Sequence, residues 1–331
     1  MPTRPLNILK TPSLKALESG RIMRLLERNN DGEFSLAEYF GDDIPEYAIL
    51  SHTWGADTEE VTFKTLIDST CKSMAGYNKI CFCGEQAKSN GLQYFWVDTC
   101  CIDKSNSTEL AEAINSMFRW YRNAAKCYVY LSDVSTNDHD QDDPSLQSWQ
   151  SAFRNSRWFT RGWTLQELIA PRSVEFFCSN GKRLGDKISL ERQLHEITGI
   201  KIPALQGTAP SAFSVKDRMS WAENRQTKCE EDRAYSLLGI FDISMSLIYG
   251  EGAEKAFERL KEKLYKRSRK HQLDDLSPVS HTFTSSKRLK ILHSHSSSVP
   301  SGRNPNFLDP DRPFYSEYPV HSGKYKTSER L

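Results

Sequence analysis

Three short segments hold most of the side chains with reactive or ligand-contacting chemistry. Tyr47-Ala48-Ile49-Leu50 runs into Ser51-His52-Thr53-Trp54-Gly55, and Phe95-Trp96-Val97 runs into Asp98-Thr99-Cys100-Cys101-Ile102-Asp103. The third segment is Arg161-Gly162-Trp163-Thr164-Leu165-Gln166-Glu167-Leu168. In the first two, an apolar strand-like run ends in polar and aromatic residues. The open carboxyl ends of parallel strands are where α/β folds gather side chains that touch ligands.

Glu109 is the first catalytic candidate, because it lies in the first turn of a helix that follows the second strand, near Asp98 and Asp103. A carboxylate there can hydrogen-bond sugar hydroxyls or stabilise an oxocarbenium-like centre during glycosidic cleavage. Asn106-Ser107-Thr108-Glu109 also has the spacing of a capping box, which needs no catalysis. His52 is the second candidate, as a general acid or base near neutral pH. Beside it, Ser51 and Trp54 are placed to bind substrate, Trp54 by stacking on a base or nicotinamide ring. The structural alternative has Trp54 packing over the sheet end while His52 satisfies backbone carbonyls.

Arg161, Trp163 and Glu167 form a third group. Trp163 and Glu167 are four residues apart and share a face if the segment is helical. Arg161 can pair with Glu167, Glu109 or Asp98, or hold a phosphate in a bidentate fashion. A buried structural ion pair is the competing role. Cys100 and Cys101 follow a strand, but their apolar setting favours inert core thiols over a nucleophile.

These residues need elements to position them. Met23 to Phe40, broken by Asn29-Asn30-Asp31-Gly32, reads as two strands joined by a turn. Glu46–Ser51, Tyr94–Asp98 and Cys127–Leu131 read as buried strands. Helices are expected over 72–89 and 107–125, the latter from the spacing of Leu110, Ile114, Met117 and Tyr121. Strand, helix, strand, helix, strand in that order predicts right-handed crossovers over a parallel sheet. Val174–Cys178 is either a fourth strand of the sheet or part of a hairpin with Lys182-Arg183-Leu184. Helices follow from about Lys216, the last opened by Gly250-Glu251-Gly252 and closed by the basic run Lys266-Arg267-Ser268-Arg269-Lys270. The wider basic run Lys261 to Lys270 reads as a nuclear-localisation or nucleic-acid patch, or as a solvated helix end. The expected organisation is a lead-in over 1–22, an α/β domain over 23–180, a mostly helical extension over 181–270 and a tail over 271–331.

With 331 residues, 38% hydrophobic and 26% charged, the chain has the composition of a soluble globular protein. A formal net charge of +1 provides no global field for nucleic acid or membrane, so neither partner is expected. No apolar run is long enough to span a bilayer, and Met1–Lys10 lacks a secretory apolar core. A cytoplasmic location is the expectation. Eight cysteines without Cys-x-x-Cys pairing predict reduced, mostly buried thiols and no zinc site. Walker, Gly-x-Gly-x-x-Gly, His-Glu-x-x-His and Gly-x-Ser-x-Gly motifs are absent, so kinase, dinucleotide dehydrogenase, zinc protease and serine hydrolase readings lack support. Twelve serines and few clustered apolar residues beyond position 272 predict a disordered tail.

The three segments together resemble the fungal heterokaryon-incompatibility domain. Its Ser-x-x-Trp-Gly block is matched by Ser51 to Gly55. Its Trp-hydrophobic-Asp strand with Cys-Ile-Asp and a helix-opening Glu is matched by Trp96 to Glu109. Its Arg-x-Trp-Thr-x-Gln-Glu block is matched by Arg161 to Glu167. Arg218-Met219-Ser220-Trp221 and the stretch from Glu231 to Gly252 are similar to the segment that commonly follows this domain.

The resemblance implies a role in fungal non-self recognition and programmed cell death. It also implies a TIR-like, flavodoxin-like parallel sheet core with a helical C-terminal extension. Catalytic TIR members cleave NAD with a helix-borne Glu, for which Glu109 is the nearest counterpart and Glu112 the second. In that reading Glu109 stabilises the ribose cation, Trp54 or Trp163 stacks on a ring, and Arg161 holds a phosphate. NAD is the substrate, and no cofactor or metal is expected. The alternative is a non-enzymatic adaptor, or an inactive relative, that acts by self-association. Members often carry a nucleotide-binding oligomerisation module and repeats downstream. Only the tail follows here, so activation is expected from an unknown protein partner or from dosage, with a homo-oligomer as the assembly.

Overall fold

The computed structural model describes residues 22–29, 32–41, 43–136 and 149–275. The lead-in over 1–21, most of the acidic stretch after Asp133 and the tail beyond 275 lie outside the described residues. Strands β1 (Ile22–Arg28) and β2 (Phe34–Phe40) form an antiparallel hairpin in register from Ile22 opposite Phe40 to Arg28 opposite Phe34. The turn ends at Gly32, whose φ of 87° lies in the left-handed region that glycine enters without a Cβ clash. Next come β3 (Tyr47–His52), the short helix α1 (Phe63–Ile67), α2 (Tyr77–Ser89) and β4 (Tyr94–Trp96). Helix α3 (Ser107–Asn123) then leads to β5 (Lys126–Leu131).

The helix expected over 72–89 is divided. Cys71–Ser73 is a 3₁₀ turn and α2 begins only after Gly76. The Gly76 N–H donates to the Glu59 carbonyl at 2.8 Å, and a Cβ at this position would lie 2.7 Å from that same oxygen. The loop after β3 therefore sits where a continuous helix would pass.

Helices α4 (Trp149–Arg154) and α5 (Thr164–Ile169) precede β6 (Val174–Cys178) and β7 (Arg183–Asp186). Val174–Cys178 is both a sheet strand and half of a hairpin, since it runs parallel to β5 and antiparallel to β7. That hairpin spans position 180. The remaining described helices are α6 (Glu191–Thr198), α7 (Ile202–Leu205), α8 (Val215–Ser220), α9 (Asp232–Tyr235), α10 (Leu238–Phe241) and α11 (Ala253–Asp275). Helix α11 continues beyond the expected boundary at 270.

The described strands form one seven-stranded sheet in the order β2-β1-β4-β3-β5-β6-β7. Its centre, β4-β3-β5-β6, is parallel, but β2, β1 and β7 are antiparallel to their neighbours. The expected parallel core is therefore the centre of the sheet, and the turn-linked strands add antiparallel edges to it. Turns as short as Asn29–Glu33 and Ser179–Lys182 can join only antiparallel strands.

Alternation along β4 sends neighbouring residues to opposite faces. Phe95 packs edge-on to Phe34 on the α2 side, near Gly84. Trp96 packs against Trp120 and Tyr121 of α3. Helices α2 and α3 thus cover opposite faces of a buried sheet. Helix α10 approaches α3 so closely that a Cβ on Gly239 would lie 2.0 Å from that of Phe118.

Candidate functional site

In chain order the four parallel strands lie second, first, third, fourth across the sheet. The crossovers from β3 to β4 and from β4 to β5 therefore diverge, and the carboxyl ends of β3 and β5 form the switch point where open α/β sheets place ligands. Ser51 and His52 end β3 at that point.

Ser51 lies at the centre of a buried relay. Its hydroxyl donates to Glu167 Oε2 at 2.5 Å and accepts from Trp158 Nε1 at 2.8 Å. Glu167 is only 7% exposed, and burial pushes its pKa up to about 8, helped by the negative charge of Asp98. Hydrogen bonding with Ser51 and Tyr121 and the charge of Arg225 act in the other direction without overcoming burial. At neutral pH the group is therefore mainly a carboxylic acid. The Tyr121 hydroxyl donates its single proton to the Leu50 carbonyl at 3.0 Å, which leaves its oxygen able to accept from the Glu167 acid proton.

Asp98 has the opposite character. It follows β4, and its side chain is 19% exposed. Oδ1 pairs with His52 Nε2 at 3.0 Å, and Oδ2 accepts from Trp54 Nε1 at 3.0 Å. Lys104 Nζ lies 3.7 Å from Oδ2 and 3.7 Å from the centre of the Trp54 ring. Burial alone would raise the Asp98 pKa. Lys104, the His52 hydrogen bond and Trp54 outweigh it and hold the carboxyl well below the usual range. His52 Nδ1 is buried without a partner among the described residues. The loop bearing Trp54 is fixed from behind. Glu60 accepts from the Gly55 N–H at 2.6 Å and pairs with Lys79, which also donates to the Thr53 carbonyl.

Two neighbouring carboxyl groups held in opposite protonation states, with an imidazole beside one of them, are the elements of acid–base chemistry. Sequence spacing alone did not single out Lys104, Tyr121, Trp158 or Arg225. The aromatic run Arg157-Trp158-Phe159 is a signal for one of them; Lys104 follows Asp98 by six residues, and Tyr121 and Arg225 reach the site from elements distant in the chain.

The remaining sequence candidates lie elsewhere. Glu109 forms an ion pair with Arg24, which also pairs with Glu38 at 2.9 Å and stacks on Phe63. The same Glu109 oxygen accepts from the Asp103 N–H at 2.8 Å. The Asn106 side chain caps α3 by accepting from the Thr108 and Glu109 amides, so Glu109 fastens the start of α3 to β1. Asp103 accepts from Ser105 through both its hydroxyl and its amide, and these bonds, led by the hydroxyl, lower its pKa.

Trp163 precedes α5 and donates to Asp232 at 3.1 Å, whereas Glu167 faces Ser51, so the two do not act together. The Arg161 carbonyl accepts from Arg225 at 2.9 Å, and its charge is felt by Asp232.

All eight cysteines are free thiols, six of them buried, and burial raises the Cys100 pKa well above its ordinary value. Among the described residues no group of three or more His, Cys, Asp or Glu side chains is placed to hold a metal, and no helix is long and apolar enough to cross a membrane. A larger cleft of about 340 Å³ opens near Arg28, Gly84, Lys88 and Gln93, at the amino end of β4 and away from the switch point.

Comparison with known proteins agrees with the first two sequence blocks, Ser51 to Gly55 and Trp96 to Glu109. The family profile described as heterokaryon incompatibility protein (HET) matches residues 47–150, which include Ser51, His52, Trp54, Asp98, Asp103 and Glu109. The chain is 62% identical over 246 residues to vegetative incompatibility protein HET-E-1 of Podospora anserina. That alignment covers 74% of this chain but only 18% of the relative, so the chain corresponds to a small part of that protein's length. No solved structure matches. On the family match and this identity, the chain carries a heterokaryon-incompatibility domain.

Proposed function

We propose that the chain is a fungal non-self recognition and cell-death effector that acts by cleaving the nicotinamide N-glycosidic bond of NAD. The observation that carries the chemistry is the pair of carboxyl groups at the β3 end, Asp98 held ionised and Glu167 held neutral. The bond between ribose and the ring nitrogen breaks and nicotinamide leaves as a neutral ring. Ionised Asp98 stabilises the oxocarbenium ion left behind. Water adds to that carbon, and its proton passes to His52. Glu167 and Ser51 hold hydrogen-bonding positions beneath them.

Trp54 supplies a stacking surface once Lys104 moves off its ring. Glu109 serves this site by fixing the loop from Asp98 to Asn106. Arg161 and Trp163 belong to the outer part of the substrate path. The strand order of the parallel centre is that of the first four strands of the flavodoxin-like fold, which supports a TIR-like reading. The effector works in the cytoplasm, switched on by a protein partner or by self-association.

The deep burial of Ser51 and Glu167 favours the second reading, a non-enzymatic adaptor. The two separate in one assay: nicotinamide release from NAD by the full chain at high concentration, wild type beside Asp98→Asn and Glu167→Gln. Release that depends on both carboxyls supports the enzyme. A folded wild-type protein that releases none, alone and with a crosslinked self-assembly, supports the adaptor.

A further inference from the structure

The indole of Trp54 and the carboxylate of Asp98 are locked to one another. Trp54 Nε1 donates to Asp98 Oδ2 at 3.0 Å, and Asp98 Oδ1 meets His52 Nε2 at 3.0 Å. The backbone on either side of Trp54 is fixed as well, by the Gly55 N–H on Glu60 and the Thr53 carbonyl on Lys79. Because the indole edge is committed to Asp98, a flat ring face is held beside an ionised carboxylate. An aromatic face next to a negative charge is the chemistry that recognises organic cations.

One cation already lies there. Lys104 Nζ sits 3.7 Å from the centre of the Trp54 ring and 3.7 Å from Asp98 Oδ2. The second distance is beyond hydrogen-bond reach, so charge and the ring face hold the ammonium at this carboxylate. Lys104, Ser105 and Asn106 are all exposed, and the lysine side chain can swing into water without unpacking a neighbour. An ammonium is compact and strongly hydrated, and it covers only part of an indole. A flat, weakly hydrated cation covers more of the ring and gives up less water to do so. It also restores the counter-charge that Asp98 loses when Lys104 leaves.

We infer that the face of Trp54 beside Asp98 is a binding site for a flat organic cation of the pyridinium type, and that Lys104 is its built-in occupant in the resting chain. The inference rests on the NAD reading of this site, whose nicotinamide ring is such a cation, and adds to it a self-occupied resting state. Lys104 thus competes with the ligand for one ring face and sets how readily the site fills.

The test follows the indole N–H resonance of Trp54 in the full chain labelled on tryptophan, identified as the signal that Trp54→Phe removes. The probe is 1-methylnicotinamide, a permanent pyridinium, with uncharged nicotinamide as the control. The pyridinium should shift the signal saturably, and nicotinamide should not. Lys104→Ala, an exposed change that clears the ring face, should tighten binding by about 3–30-fold, the worth of one surface ion pair and one cation–π contact. Lys104→Arg keeps the charge but lays a flatter cation on the ring, so it should weaken binding below wild type. The inference is overturned if the pyridinium gives no saturable shift in Lys104→Ala, if wild type and both variants bind it equally, or if nicotinamide binds as well. Its fate separates from that of the enzyme reading. Binding in the expected order without nicotinamide release from NAD keeps the inference and removes the enzyme; release from NAD with equal binding in all three proteins does the reverse.

Discussion

Glu167 and Glu109 are two glutamates of one domain placed in contrasting surroundings. Glu109 sits at the β1 side of the sheet, faces the guanidinium of Arg24 and receives a backbone N–H from Asp103. Glu167 sits behind the end of β3 with a hydroxyl, a phenol and an indole around its relay, and no cation in direct contact among the described residues. An ion-paired carboxylate near the surface ties elements together. A carboxyl buried among neutral donors keeps its proton and becomes able to give or take one near neutral pH. The difference teaches that a glutamate's position at a helix start says less about its chemistry than what its oxygens meet.

The largest effect that tests this comparison is on activity. Asp98→Asn should lower nicotinamide release by about 10²–10³-fold through loss of the charge that stabilises the cation, and Glu167→Gln by a smaller factor through the Ser51 relay, whereas Glu109→Gln should stay within a few-fold of wild type once folding is matched. The reverse ranking would exchange the roles assigned to the two glutamates.

Next in size is a pH effect on stability. The folded pKa of Glu167, about 8, lies above its unfolded value of about 4.3. Between those values the native state holds a proton that the unfolded chain releases. Stability should therefore fall as pH rises through this window, by an amount on the order of a few kcal/mol. Glu167→Gln should lack that fall and be more stable than wild type at pH 9, as urea unfolding at pH 5, 7 and 9 will show. Asp98 acts in the opposite sense. Its depressed pKa adds stability that is present above the unfolded carboxylate range and is lost as pH falls below it.

Asp98→Asn should cost about 2–3 kcal/mol at pH 7, because Lys104 and His52 lose an ionised partner. Arg24→Gln should cost about 1–3 kcal/mol by releasing both Glu38 and Glu109. The smallest expected change is Ser51→Ala, about 1 kcal/mol. It also removes the donor that stabilises ionised Glu167, so the carboxyl pKa should rise further, which carbon-13 shifts of the labelled side chain will report.

Much of the frame was legible in the chain. Apolar runs ended by polar residues marked β3, β4 and β5, helical spacing marked α3, and the Asn29–Gly32 turn marked the β1–β2 hairpin. These are local signals, written in residues that neighbour one another. The break before α2 was not legible, because it depends on Gly76 meeting the backbone of Glu59 across a loop. The division of Trp163 from Glu167 was equally hidden. Trp163 stands just before α5, and its partner Asp232 comes from a helix 69 residues later.

By itself, the sequence determined the strands β3, β4 and β5, the helix α3 and which segments bring reactive side chains to the ends of strands, since hydrophobic period and turn chemistry act over a few residues. It also carried the family resemblance, in ordered blocks of which the family profile spans the first two. Only the tertiary structure decided which carboxyl group is buried beside Ser51 and which meets Arg24. Protonation state follows from burial and from charges brought together across the fold, and neither is a property of neighbours in the chain.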